Sequence, residues 1–244
     1  MRDFPHRDDY YIVALLTHGS AALEIDFERI CVGTGEILIV SPWQVHRRPS
    51  GEEWRADGWM LAVSPEFLSA KETVALDAYS ISPHPLNPGQ FTVDDIVALC
   101  TMYERYSRDA GIAGPIASAI KSIVVAAVGK CDSGAIGRYM AITLDFRKLI
   151  DKHLTLGKSP AAYASMLNIS EVYLNEAVKG ATGQSAGAYL RSRVIVEAKR
   201  LLAYTSQSAK EIAYSLGYSD YAYFSRFFSK YVGVSPSVYA KNLK

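Results

Sequence analysis

With 244 residues, 49% of them hydrophobic and 21% charged, the chain has enough apolar material for ordinary buried cores, in one large domain or two modest ones, and is not of the disordered class. The net charge of +1 hides a division: residues 1 to 144 carry 12 Lys+Arg against 18 Asp+Glu, a net of −6, whereas residues 145 to 244 carry 14 against 7, a net of +7. A cation-rich C-terminal part suits a polyanionic partner, because each neutralised phosphate releases condensed counterions, and an acidic N-terminal part has no such reason to approach one.

In chain order, Met1 to Asp9 with the apolar run Tyr10 to Thr17 is too short and too acidic in its flank for a secretory signal. Short β-rich segments punctuated by glycine follow: Tyr10 to Thr17, Ala21 to Phe27, Glu36 to Ser41 and Glu53 to Val63. Turn chemistry falls at His18-Gly19-Ser20, Gly33-Thr34-Gly35 and Ser50-Gly51, which predicts an antiparallel sheet or small barrel. Ser64 to Asn87 reads as irregular, and Ser82-Pro83-His84-Pro85 with Asn87-Pro88-Gly89 as loop. Apolar stripes at helical spacing predict helices over Asp94 to Ser107 and Pro115 to Val128, with a free face for a second subunit, so a homodimer is expected. Ile116 to Val128 is broken by Lys121 and is shorter than a membrane span, so no membrane segment is expected. Cys31, Cys100 and Cys131 are odd in number and lack metal-ligand spacing, which argues against a disulfide framework or a zinc site and for a reducing, cytoplasmic setting.

Small residues from Cys131 to Gly137 mark a boundary, and beyond it everything reads helical. The helices expected are Tyr139 to Leu154, Pro160 to Leu167, Ser170 to Lys179, a long Ser185 to Thr205, Ala209 to Leu216, Asp220 to Tyr231 and Pro236 to Leu243. Two of the helix pairs have the pattern of a helix-turn-helix, at about 160–180 and 208–231: a short first helix with small inward residues, a tight turn, and a second helix with an outer face free for the major groove. In the first copy Tyr163, Ala164 and Leu167 pack inward, Asn168-Ile169 turns, Ser170 caps, and Tyr173, Leu174, Ala177 and Val178 bury the inner face. Its DNA-facing residues are then Ser170, Glu171, Val172, Asn175, Glu176 and Lys179. In the second, Ile212, Ala213 and Leu216 pack inward, Gly217 turns, Ser219 or Asp220 caps, and Phe224, Phe227 and Phe228 hold the helix; Tyr221, Ala222, Ser225, Arg226, Ser229 and Lys230 face outward. The helix between them carries Leu190, Val194, Ala198, Leu201 and Leu202 at helical spacing, with Arg193 and Glu197 as a surface pair. On one face of a duplex the two readers enter successive major grooves roughly ten base pairs apart.

Glu197-Ala198-Lys199-Arg200-Leu201-Leu202, Lys210-Glu211-Ile212-Ala213, Leu216-Gly217-Tyr218-Ser219-Asp220, Tyr223-Phe224-Ser225-Arg226-Phe227-Phe228 and Gly233-Val234-Ser235-Pro236 with Tyr239 resemble the AraC/XylS family of transcriptional regulators, over roughly Leu144 to Lys244. The resemblance implies an all-α, two-reader domain that binds double-stranded promoter DNA and recruits or positions RNA polymerase. Gly33 to His46 resembles, over a shorter stretch, the cupin-like barrel that many members use to bind a small effector. The expected fold is therefore α+β: a cupin-like antiparallel β domain with helices for sensing and dimerisation at 1–131, a linker at 132–143, and the DNA-binding domain at 144–244. Trp43, His46, Trp54 and Trp59 are the effector-site candidates, against the plainer reading that the tryptophans are core. A metal-dependent cupin enzyme needs a His-x-His pair with a further carboxylate and His. His46 stands alone in its strand, so no catalytic residue, metal or cofactor is expected. The carboxylates of Glu171 and Glu176 face phosphates badly, which places more of the affinity in the second reader and leaves a protein-interaction module as an alternative.

Overall fold

The computed structural model describes residues 4–49, 55–131, 137–154 and 159–242. They fall into two compact units, one drawn from Arg7–Ile136 and the other from Gly137–Lys244 together with the residues up to His6.

The N-terminal unit is organised around one long strand, β1 (Tyr11–Ile25), which pairs antiparallel with β2 (Glu28–Gly33), β3 (Ile37–Val40), β4 (His46–Arg47) and β5 (Arg55–Val63). Two strands expected from the pattern are thus one. His18-Gly19-Ser20 is no turn: a register shift between Leu16 and His18 and a left-handed Gly19 (φ 80°) absorb it within β1. The chain reverses instead at Asp26-Phe27, both with positive φ (52° and 67°), as a two-residue hairpin matched to strand twist requires. Asp26 is pinned there by Val45, whose carbonyl accepts the Asp26 N–H at 2.6 Å and whose N–H donates to the Asp26 carboxylate at 3.0 Å.

The period of two along β1 divides two cores. Tyr11, Val13 and Leu15, with Ile37 and Ile39, face α1 (Ala70–Tyr79), α2 (Val93–Tyr106) and α3 (Ala110–Cys131), meeting Leu76, Ile96, Ile120 and Val124. Ile12, Leu16, Leu23 and Ile25 pack with Val32, Leu38 and Val40 on the opposite face. The helix α1 lies in a stretch that reads as irregular. Its apolar residues do not form a single stripe, and it is set locally by a reciprocal cap in which Ser69 accepts from the Glu72 N–H and Glu72 accepts from the Ser69 N–H. By length and composition α3 is long and apolar enough to cross a membrane, more than its sequence pattern predicts. In this unit Ile116, Ile120, Ile123, Val124 and Val128 of α3 are core residues.

In the C-terminal unit α4 (Arg138–His153) begins within the stretch read as linker and packs on α6 (Glu171–Thr182). Its Phe146 and Ile150 are wholly buried, and Tyr163 of α5 (Pro160–Met166) sets its ring edge-on to Phe146 at 5.4 Å. The long α7 (Ala186–Tyr204) passes to a second core, in which Val194, Ala198 and Leu202 meet Ile212, Ala213, Leu216, Tyr218, Phe224 and Phe228 of α8 (Ala209–Ser215), the turn after it and α9 (Tyr221–Val232). The last helix, α10 (Pro236–Asn242), contacts α7, α8 and α9. Arg193, expected on the surface, is 5% exposed, with its guanidinium 3.6 Å from Asp151 of α4, and Glu197 is held bidentately by Arg200 at 2.6 and 3.0 Å.

Candidate DNA-binding surface

The two helix-turn-helix units are built on the same backbone plan. In the first, Leu167 N–H donates to Tyr163, Asn168 N–H to Ser165 and Ile169 N–H to Ala164; in the second, Leu216 N–H donates to Ile212, Gly217 N–H to Tyr214 and Tyr218 N–H to Ala213. Both turns hinge on one left-handed residue, Asn168 (φ 54°) or Gly217 (φ 76°), the two residue types that take this conformation most cheaply. Each second helix is then restarted by a side-chain cap. The Ser170 hydroxyl accepts from the Tyr173 N–H at 3.1 Å, and the Asp220 carboxylate, rather than Ser219, accepts from the Ala222 N–H at 2.8 Å. Both helices end at a left-handed glycine, Gly183 and Gly233.

On α6, Leu174, Ala177 and Val178 are fully buried, while Glu171, Val172 (70% exposed), Glu176 and Lys179 are exposed. Tyr173 is half-buried rather than core: Arg138 lies over its ring at 5.5 Å and Tyr139 meets it edge-on. Asn175, expected on the outer face, is half-buried, and its side-chain oxygen accepts from the Ala186 N–H at 3.1 Å, tying the reader to the start of α7.

On α9, Phe224 and Phe228 are fully buried, Phe227 is half-buried, and Ala222, Tyr223, Arg226, Lys230 and Tyr231 are exposed. Ser225 is half-buried, and so is Tyr221, whose hydroxyl lies 3.2 Å from that of Ser237. Burial, and then the neighbouring Tyr223, pushes the Tyr218 phenol up to about 12, so it stays neutral packing matter. The entry to α8 carries a reciprocal cap between Ser208 and Glu211. Hydrogen bonds from the Ser208 N–H and then its hydroxyl hold the Glu211 carboxyl below its usual range. A groove of about 480 Å³ runs along α9, bordered by Tyr223, Arg226, Phe227, Lys230 and Tyr231, with Arg191 of α7 on its other side. Arg191 carries no motif signal that would single it out; only folding brings it to this groove.

The effector-site candidates go to separate places. The Trp43 indole N–H points at Asp77 (3.4 Å), which also accepts from the Tyr11 hydroxyl at 2.7 Å. His46 is buried, with Asp8 3.3 Å from Nε2. Trp59 packs against the helix-facing core, and Trp54 lies outside the described residues. Trp43, His46 and Trp59 are not among the described residues lining the apolar cavity of about 460 Å³ in this unit, which is walled by Leu61, Val63, Phe67, Tyr103, Val124 and, at its polar edge, Lys121. The Lys121 ammonium is held by the Phe67 carbonyl and the Glu72 carboxylate, each at 3.2 Å.

Two capped helix-turn-helix units joined by a shared connecting helix define a DNA-binding domain. A family profile described as a helix-turn-helix domain matches residues 163–242. The chain is 40% identical over 77 residues to the HTH-type transcriptional activator Btr of Bacillus subtilis, and 33% identical over 81 residues to the MmsAB operon regulatory protein of Pseudomonas aeruginosa. These matches cover 32% and 33% of this chain but only 15% and 26% of those proteins. Residues 163–242 are thus a helix-turn-helix domain of the AraC type, similar to those of these transcriptional regulators. Over its whole length the fold is similar to that of ToxT from Vibrio cholerae, with a TM-score of 0.52 at 16% identity, covering 100% of this chain and 97% of that one.

Proposed function

We propose that the chain is a sequence-specific transcriptional regulator that places α6 and α9 in successive major grooves of promoter DNA, with RNA polymerase as its partner there, in the cytoplasm. The observation that carries this reading is the twice-built turn, with both second helices held from behind by buried apolar residues and exposed in front. Ser170, Glu171, Val172, Glu176 and Lys179 form the first reading face, where Asn175 serves mainly to position the helix. Tyr221, Ala222, Ser225, Arg226 and Lys230 form the second. Residues 144–244, together with the preceding turns of α4, make up the DNA-binding part, and residues 1–131 the sensing part.

The test is selection of bound fragments from genomic DNA, followed by gel shift of the enriched sequence against random duplex. Enrichment of a site with two half-sites about ten base pairs apart supports the reading. Equal retention of all fragments refutes it.

The sensing part is proposed to bind a small molecule in the cavity between β5 and α3, whose volume lies within the range of ligand pockets. In its crystal structure ToxT is bound to (E)-4-(8-methylnaphthalen-1-yl)but-3-enoic acid, which makes a compact, largely apolar effector the natural first choice. Anilinonaphthalene sulfonate fluorescence that rises with the wild type and is lost in Val124→Trp, which fills the cavity, is the expected result. The same unit is proposed to dimerise through α2 and α3, where Met102, Tyr103, Tyr106 and Ile112 are 38–44% exposed.

A further inference from the structure

The groove along α9 is not made by the second reader alone. Arg191 borders it from α7 with Arg226 and Lys230 opposite, and no carboxylate is among its lining residues. Among the described residues no ion pair neutralises any of these three cations, whereas on the same helix Arg193 is buried beside Asp151 and Arg200 is chelated by Glu197. The connecting helix thus commits two arginines to structure and leaves Arg191 exposed. Its head group lies over Gly187. A Cβ built at Gly187 comes within 3.2 Å of an Arg191 guanidinium nitrogen and 3.7 Å of Pro160, the first residue of α5. Arg191 therefore sits at the seam between the two helix-turn-helix units, with the start of α5 on one side and α9 on the other.

We propose that Arg191 is a phosphate contact, gripping the DNA backbone that passes between the two major grooves. This rests on the DNA-binding reading above. Two readers on one face of the duplex, a helical turn apart, leave a minor groove facing the connector, and the phosphates bordering that groove are the ones within reach of α7. Three cations around one concavity repel one another in the free protein, and a phosphodiester relieves that repulsion. A guanidinium holds it in a planar, two-pronged fashion, and the Tyr223 and Tyr231 hydroxyls at the rim supply further donors. Such a contact carries no sequence information. It raises affinity for every duplex and fixes the spacing at which the two readers engage.

The full-length chain would be titrated by fluorescence anisotropy against a duplex of roughly 40 base pairs of arbitrary sequence, and against a genomic fragment the chain itself selects, from about 50 to 200 mM salt. Arg191→Gln is expected to weaken both duplexes by the same factor and to lower the slope of log K against log salt by about 0.9, one phosphate's worth. Ethylation of the phosphates bordering the central minor groove should interfere with wild-type binding and no longer with the variant's. If Arg191→Gln loses helical content, Arg191→Ala carries the test, because alanine favours the helix and the same fall in slope is expected. An unchanged slope for Arg191→Gln, or a loss confined to the selected fragment, overturns the proposal. A wild type that binds neither duplex overturns the DNA reading together with it.

Discussion

Asp151 of the C-terminal unit lies between two buried arginines. Its carboxylate lies 3.9 Å from the Arg147 guanidinium and 3.6 Å from that of Arg193, and those arginines are 3% and 5% exposed. Arg147 also donates to the Tyr189 hydroxyl at 3.2 Å, so the cluster joins α4 to two turns of α7. At the effective dielectric of about 20 that suits such sites, each contact is worth about 4 kcal/mol. The two attractions are offset by repulsion between the arginines and by the hydration that a carboxylate 26% exposed retains in the unfolded chain and partly in the folded one. The net expected for Asp151→Asn is a loss of about 3 kcal/mol, the low end of what breaking a buried ion pair costs. In a domain of this size that lowers the melting temperature on the order of 15 °C, read by far-ultraviolet circular dichroism at pH 7. The variant Asp151→Asn with Arg193→Met should recover part of the loss, because the second change removes a buried charge that the first left without its carboxylate. A melting temperature for Asp151→Asn within about 3 °C of wild type would refute the reasoning.

Arg226→Ala should cost about 1–3 kcal/mol on the selected operator if its guanidinium reads a base, measured by anisotropy beside a random duplex; equal loss on both makes it a phosphate contact only. Three helix entries share the reciprocal cap, with Glu72, Asp95 and Glu211 each held below the usual carboxyl range, chiefly by a backbone N–H of the cap residue, Ser69, Thr92 and Ser208 in turn. A carboxyl whose folded value is depressed adds stability above its unfolded value, and that stability is lost as the pH falls through the folded value. The melting temperature should therefore decline on acidification below the ordinary carboxyl range, and Glu211→Gln, which can still accept from the Ser208 N–H but does not titrate, should flatten that decline; a parallel curve would remove Glu211 from the account. Ile112→Glu, on the exposed face of α3, should convert a dimer to a monomer in sedimentation at micromolar concentration, and a monomeric wild type would dismiss the dimer.

The legible parts of this chain were those whose physics is local. The C-terminal helices fall within three residues of their expected limits, because most are bounded by a cap or a left-handed residue: Ser170, Gly183, Ser185, Ser208, Asp220 and Gly233. The illegible parts depend on distant partners. Glycine and serine at 19 and 20 signal a turn, yet β1 runs through them because β2 and β5 supply ladder partners on either side. Asp26-Phe27 carries no glycine, and the hairpin there is held by Val45, nineteen residues on. α1 lacks a stripe because it is bounded by the sheet and α3 together. Arg193 had a good surface partner at Glu197 by spacing alone, and burial beside Asp151 could be seen only once α4 was packed on α7.

The same dependence on packing sharpens the difference between the two readers. By spacing, Asn175 was the one neutral hydrogen-bonding side chain among the outward residues of α6 beyond its cap, and the structure commits its oxygen to the start of α7. What remains exposed there is Glu171, Val172, Glu176 and Lys179, a face of net negative charge with one large apolar side chain. Such a face gains little from phosphates and can discriminate only through short-range contacts: Val172 against a thymine methyl, and a carboxylate accepting from cytosine N4. The second reader offers Arg226 and Lys230, and folding adds Arg191 from the connector. On the proposed reading, most of the counterion release on binding is expected from one half of the domain. Raising salt should weaken the grip of α9 while leaving the selectivity of α6 almost untouched, because electrostatic affinity screens with ionic strength and direct base contact does not. An operator half-site read by α6 should accordingly lose the same factor on mutation at low and at high salt.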